Sequence, residues 1–256
     1  LDGFSSVLNF YGAENLQGGE DGIIKLITIA PELPGAINAI NELKRRGIIS
    51  AIGHSTINYE HAISAISEGA STITHLFNAM EPLHHRNPGI FGTLGDPSEK
   101  KPFYGIIADG VHLHPTCINI AWHSHPGGCI LVTDAMFAAG LPDGIYDWTN
   151  GDKIEKKGQI LRLVDSNAKI AGSATTLIEC VNNFLNWTGA SVAEALNTVT
   201  STPARMLGIE KAKGVLEPEA DADILILDEM VGEKGWKSLK IDQVWKFGEK
   251  VYDAEL

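Results

Sequence analysis

Residues 25–54 read KLITIAPELPGAINAINELKRRGIISAIGH, and their spacing predicts one turn of a repeating βα unit. Residues 25–30 are a short β-branched run, and Pro31, Glu32, Leu33 and Pro34 then turn the chain. Ile37, Ile40 and Leu43 share one helical face. Lys44, Arg45 and Arg46 occupy the last turn, where cations suit the helix dipole, and Gly47 supplies the stop. Residues 48–52 are the next strand, followed by the loop Gly53-His54-Ser55.

The unit repeats along the chain. Asn58 is placed to cap a helix carrying Tyr59, Ala62, Ile63 and Ile66, which Gly69 ends. Residues 71–74 form a strand running into His75, and 103–108 and 129–133 form two more, with a helix at 116–122 between them. Five strands alternating with helices imply a parallel sheet, because parallel neighbours need crossover connections. The strands are nearly continuous apolar runs, as expected when both faces are covered. None is followed by G-x-G-x-x-G, which disfavours a dinucleotide-binding unit and leaves an α/β fold of the TIM-like (β/α) barrel type. A full eight-stranded barrel takes about 250 residues by itself. With five strands in view, the barrel is expected to be N-terminally incomplete.

The second half changes character. Residues 141–169, rich in Gly, Asp, Asn and Lys, predict an inserted β-excursion. Segments 174–188 and 191–207 read as helices, with Ser191 as a cap, and 213–256 holds two strand-like runs at 222–227 and 241–247. The expected organisation is a catalytic barrel portion over 1–212 and the C-terminal strands of a small β-sandwich domain over 213–256.

Composition narrows the function. Lys and Arg total 20 against 32 Asp and Glu, a net charge of −12, which repels phosphate backbones and argues against nucleic-acid partners. No apolar run approaches the roughly 20 residues of a membrane-spanning helix. No signal peptide precedes the first strand, and the three cysteines show no C-x-x-C spacing, so reduced thiols and a cytoplasmic setting are expected. The sequon Asn186-Trp187-Thr188 falls inside a predicted helix.

The strand ends carry the chemistry. In chain order they deliver Glu32, His54, His75, Asp109 with His112, and Asp134. In parallel α/β folds such ends share the face where active sites lie. Two imidazoles from adjacent strands suit zinc or another divalent transition metal, which brings the pKa of a bound water down to about 7. Asp134, closing the strand CILVTD, is placed to move that water's proton. His84, His85 and Arg86 form the densest cationic run beside this rim, which an acidic protein needs to capture an anionic substrate.

Together, Gly53-His54-Ser55, residues 74–80 (THLFNAM), residues 107–110 (IADG), residues 131–135 (LVTDA) and Ala171-Gly172-Ser173 resemble the N-acetylglucosamine-6-phosphate deacetylases of the amidohydrolase superfamily. The resemblance runs from about residue 24 to residue 228 and includes residues 220–223 (ADAD). It implies a barrel of the metal-dependent hydrolase type. It further implies one divalent cation per subunit (zinc, iron or similar), held by His54 and His75, and Asp134 as catalytic acid and base. It implies that Asn78 and Ala79 contact the sugar, that Arg86 with His112 binds its phosphate, and that Ile170, Ala171 and Gly172 line the substrate's edge. The implied products are glucosamine 6-phosphate and acetate, and the implied assembly is a homodimer in which the loop bearing Arg86 reaches a neighbouring subunit. The family's His-Leu-Glu-Gly-Pro motif, which supplies a further metal-ligand Glu, and a nearby His that polarises the acetyl carbonyl are not in these 256 residues.

Smaller expectations complete the reading. Glu32 is read as supporting structure, His61 as solvent-facing on its helix, His114 as not functional beside His112, and His123 and His125 as structural. Two alternatives stay open: another amidohydrolase acting on a cyclic amide, and a sugar-phosphate-binding relic without catalysis. Many cyclic-amide hydrolases use a carbamylated Lys at a strand's C-terminal end, whereas Lys25 lies at the opposite end of its strand.

Overall fold

The computed structural model of the chain describes residues 3–19, 22–98, 100–164 and 169–254. A helix, α1 (Phe4–Tyr11), precedes the first strand and packs on α2 (Ala36–Arg45). The sequence reading assigned no element before residue 25.

The central sheet has five strands in the order β1 (Leu26–Ile29), β2 (Ile49–Ile52), β3 (Ala70–Ile73), β4 (Phe103–Ile107) and β5 (Cys129–Val132). β1 to β4 pair in parallel, with Leu26 opposite Ile49, Ser50 opposite Ala70 and Thr72 opposite Phe103. All five lie where the apolar runs predicted them. Helices α2, α3 (Tyr59–Glu68) and α4 (Pro115–Ser124) fill three crossovers, and the β3–β4 connection carries a 3-10 segment, Ile90–Gly95. Consecutive residues of β2 and β4 are buried, as strands covered on both faces require.

Local chemistry accounts for the boundaries. α2 buries Ala36, Ala39, Ile40 and Leu43. Ile40 and Leu43 of the predicted face are buried as expected, joined by Ala36 and Ala39, while Ile37 is only half-buried. Asn58 Oδ1 accepts the His61 N–H at 2.9 Å, the predicted cap of α3. The chain forms two compact units, the first within 1–106, 120–130 and 202–209, the second within 107–119, 131–201 and 210–256.

The predicted excursion is a four-stranded antiparallel meander of β6 (Gly144–Asp147), β7 (Lys153–Lys157), β8 (Ile160–Leu163) and β9 (Ile170–Ser173). Its core is Ala138, Ile154, Leu161 and Ala174. It extends past the expected end at residue 169, while residues 165–168 of the prediction lie outside the described residues. α5 (Leu177–Thr188) starts three residues later than expected, because Thr176 and Glu179 form a capping box.

The single helix predicted at 191–207 is instead two, α6 (Val192–Asn197) and α7 (Ser201–Leu207). Thr198 and Thr200 turn their hydroxyls onto the carbonyls of Ala195 and Leu196, and Pro203 lacks the N–H that a continuous helix would use. Ser191 caps α6 as expected, in a capping box with Glu194.

The tail forms three antiparallel strands rather than two: β10 (Ile224–Val231), β11 (Lys237–Lys246) and β12 (Glu249–Asp253). Two asparagines one turn apart on α5 dock β11. Asn182 accepts the Leu239 N–H at 2.7 Å and donates to its carbonyl at 3.1 Å. Asn186 does the same to Lys237 at 2.9 and 2.7 Å. The sequon asparagine is thus part of the packing.

Cys129 and Cys180 are buried free thiols, pushed up by burial to about 12 and about 11. Among the described residues no helix is long and apolar enough to cross a membrane.

Candidate active site

β2 and β3 each end one residue before a short turn that presents a histidine. His54 has φ 51° and His75 φ 26°, in the left-handed region that a non-glycine residue rarely adopts. Phe77, Ala79 and Asp134, with φ of 74°, 50° and 46°, share that property. His54 follows β2, His75, Phe77 and Ala79 follow β3, and Asp134 follows β5, and strain of this kind concentrates at functional sites.

In the first unit the two imidazoles converge. His54 Nε2 lies 2.9 Å from His75 Nε2, with the rings edge-on at 4.7 Å. His54 is exposed and His75 is buried, with its Nδ1 finding no hydrogen-bond partner among the described residues. Two nitrogens bound at about 2.0–2.1 Å to one tetrahedral ion stand about 3.3 Å apart. The pair therefore needs to open by only a few tenths of an ångström to hold one divalent cation. Among the described residues, no group of three or more His, Cys, Asp or Glu is gathered for a metal. The donors present fit such an ion as two of its ligands.

The turn after His54 is braced from two sides. Ser55 Oγ donates to Glu32 Oε2 at 2.6 Å, and the Thr56 N–H donates to Glu32 Oε1 at 3.0 Å. Burial tends to raise the Glu32 carboxyl, but these bonds bring it below its ordinary value. The Ser55 N–H donates to the Ala79 carbonyl at 3.1 Å, which ties the loop after β2 to the loop after β3. Gly53 is required where it stands, since a Cβ there would meet Thr28 and Thr74 at 2.8 Å. Asn78 is half-buried, its N–H bonded to the His75 carbonyl at 3.0 Å. Arg86 is exposed in a tight turn whose backbone N–H reaches His84 Nδ1 at 3.2 Å.

The second unit carries the remaining predicted residues. His112 Nδ1 lies 2.7 Å from Asp109 Oδ2. Burial alone would raise Asp109, but bonds from the His112 ring and from the His112 and Val111 N–H groups bring it down to about 2. The bond to Asp109 raises His112 above its ordinary value, burial opposes this, and the charges of Asp109 and Asp134 add to the rise. Asp134 is exposed at the end of β5.

The segment after Asp134 is seated on β9. The Met136 N–H donates to the Ser173 carbonyl at 2.9 Å, and a Cβ on Gly172 would meet Met136 Sδ at 2.6 Å. Ile170 is exposed, Ala171 half-buried and Gly172 buried. Among the predicted residues the structure thus brings His54 to His75, with Ala79 tied to the same turns, and gathers His112 with Asp109.

The role of Asp109 was missed in the sequence, where only its place after a strand was noted. The spacing Asp109-Gly110-Val111-His112, an acidic residue three before a histidine across a glycine, is the signal that could have found it. His114 is occupied otherwise, its Nδ1 accepting the Thr116 N–H at 3.2 Å at the start of α4. His61 faces solvent.

Comparison with known proteins points the same way. The model of the Amidohydrolase family matches residues 11–251. The chain is 43% identical over 211 residues to N-acetylglucosamine-6-phosphate deacetylase of Danio rerio, covering 81% of this chain and 52% of that protein. It is 39% identical to the deacetylase of the same name from Bos taurus, covering 99% of this chain and 59% of the relative. A solved structure of a mutant N-acetyl-D-glucosamine-6-phosphate deacetylase of Mycobacterium smegmatis, in complex with N-acetyl-D-glucosamine-6-phosphate, superposes with a TM-score of 0.75 at 31% identity. The match covers 89% of this chain and 57% of that one. The chain thus spans little more than half the length of the proteins it resembles.

Proposed function

The chain belongs to the amidohydrolase family, a family of (β/α)-barrel hydrolases, and from that membership we propose that it serves the deacetylation of N-acetylglucosamine 6-phosphate to glucosamine 6-phosphate and acetate. The observation that carries this reading is the convergence of His54 and His75 at 2.9 Å from the ends of adjacent parallel strands.

In this proposal His54 and His75 hold a divalent cation, zinc or iron. Bound there, the ion supplies Lewis-acid polarisation of the acetyl carbonyl and acidifies a water. The protein's own residues do the rest. The Asp134 carboxylate takes the proton from the attacking water and gives it to the departing amine nitrogen, which is otherwise a poor leaving group. Cleavage of the amide C–N bond then leaves acetate and the free amino sugar. Asn78 through its side chain and Ala79 through its main chain hold the sugar, and residues 170–172 line its edge. The Arg86 guanidinium, able to grip phosphate in a bidentate manner, binds the anionic end together with His112.

The same proposal has residues 1–212 as the barrel portion and 213–256 as part of a β-sandwich. It also has the protein acting as a cytoplasmic homodimer. The cyclic-amide alternative is less well supported. Lys25 lies before β1, where its Nζ donates to the Gly19 carbonyl at 2.5 Å. It is therefore not placed to be a carbamylated metal bridge at a strand's C-terminal end.

The test is acetate release from N-acetylglucosamine 6-phosphate compared with ring opening of a dihydropyrimidine. Turnover of the amino sugar alone supports the proposal. Turnover of the cyclic amide alone overturns it. Binding of the sugar phosphate without any turnover supports the relic reading instead.

A further inference from the structure

The Asp109 carboxylate is fully buried, and both of its oxygens are committed to one short turn. Oδ1 accepts the N–H groups of Val111 at 2.8 Å and His112 at 2.9 Å, while Oδ2 meets the His112 ring at Nδ1, 2.7 Å away. A carboxylate can only accept, so His112 Nδ1 carries the proton. Gly110, at φ 74°, makes the turn possible, and its Cα side faces the Trp187 ring, which a Cβ would meet at 3.4 Å. The His112 side chain is 21% exposed, and among the described residues Nε2 takes no partner. One nitrogen is pinned and the other is presented.

We propose that Asp109 is a positioning residue that locks the His112 ring with Nδ1 protonated, so that its Nε2–H and positive charge serve the phosphate of the substrate. This rests on the sugar-phosphate reading above. The charged groups acting on the ring are Asp109 and Asp134, both of which favour the imidazolium, while burial works against it. A neutral imidazole fixed by Asp109 through Nδ1–H would offer Nε2 as an acceptor, which repels a phosphate oxygen. Only the charged ring makes the arrangement useful to an anion.

Asp109→Asn separates the two functions of the carboxylate. The amide oxygen still accepts the Val111 and His112 N–H groups and keeps the turn, but the amide nitrogen cannot accept from His112 Nδ1. Two measurements are made on the wild type and the variant: an NMR titration of the His112 ring, and the ratio of kcat/KM for N-acetylglucosamine 6-phosphate over unphosphorylated N-acetylglucosamine. The His112 titration is expected to move to lower pH in the variant. The preference for the phosphorylated sugar is expected to fall about tenfold, the loss of one charge-assisted hydrogen bond.

An unchanged His112 titration overturns the proposal, as does a shifted titration with the preference intact. If Asp109→Asn does not fold, the wild-type titration decides, since a His112 ring that titrates at or below the ordinary imidazole range overturns the proposal. A wild type that shows no preference for the phosphorylated sugar at any pH refutes the substrate reading. The NMR comparison still reports on the Asp109–His112 pair in that case.

Discussion

Ser55 gives its hydroxyl hydrogen to Glu32 across 2.6 Å, one residue past His54 in the chain. With the Thr56 N–H on the other carboxylate oxygen, the end of the first strand's connection grips the turn that aims the exposed imidazole. Glu32→Ala removes both acceptors and is expected to cost about 1 kcal/mol, because the carboxylate is exposed while Ser55 is buried. It should also weaken metal binding about tenfold, as losses of ligand-orienting partners do. Urea denaturation and a metal-binding titration check the two effects. Stability lost with metal affinity unchanged would show that Glu32 does not orient His54.

His54 and His75 are expected to act as a unit. Either His54→Ala or His75→Ala should lower divalent-metal affinity by at least about 100-fold, more than the loss of a supporting partner does. Metal content after dialysis against a fixed free concentration reads this directly. Two variants that retain the wild-type metal content would remove both residues from the proposed site.

Much of this arrangement was legible in the sequence. Strands that are buried on both faces announce themselves as continuous apolar runs, so β1 to β5 and the residues behind them could be placed from residues 25–134 alone. Asn58 and Ser191 were legible as caps because a side-chain oxygen before an apolar period has a local mechanism. What escaped was non-local. β12 (EKVYD) offers too few apolar residues to read as a strand, and its partner β11 makes it one. The break between α6 and α7 depends on where the Thr198 and Thr200 hydroxyls turn. Glu32 gave no sign of its partner, because Ser55 is 23 residues away and becomes its neighbour only across the β1–β2 pairing.

Asp134 is separable from metal binding. Asp134→Asn keeps the shape and removes the basic oxygen, so acetate release should fall by at least about 100-fold, the typical worth of a positioned acid–base group. Metal content should stay at the wild-type level. Undiminished acetate release would exclude Asp134 from the proton transfer.

The Asp109–His112 pair makes a prediction about acid. Asp109 is held down to about 2 from an ordinary 3.8, so its stabilising contribution is complete above pH 4 and is lost as pH falls toward 2. His112 is raised, so its contribution is complete below its ordinary value of 6.5 and is lost as pH rises through the raised value. The pair is therefore at full strength between those two limits. The carboxyl shift corresponds to about 2 kcal/mol. In urea titrations the stability gap between wild type and Asp109→Asn should be of that order at pH 5 and close as pH approaches 2. A gap that stays constant over that range would show that the ion pair contributes nothing to folding.

Asn182 tests how β11 is held. Its amide does for Leu239 what a neighbouring strand would do, accepting the N–H and donating to the carbonyl of one residue. Leu239 is 4% exposed, so water cannot readily replace either bond. Asn182→Ala leaves a buried donor and a buried acceptor unpaired, and is expected to cost about 2–4 kcal/mol. Asn182→Asp keeps the acceptor for the Leu239 N–H but sets a carboxylate oxygen against the carbonyl, so it should be destabilising at neutral pH and recover in part as the new carboxyl is protonated. Asn186→Ala should cost less, because Lys237 is exposed and its groups can turn to solvent. An equal cost at the two positions would show that burial of the β11 backbone is not what makes Asn182 matter.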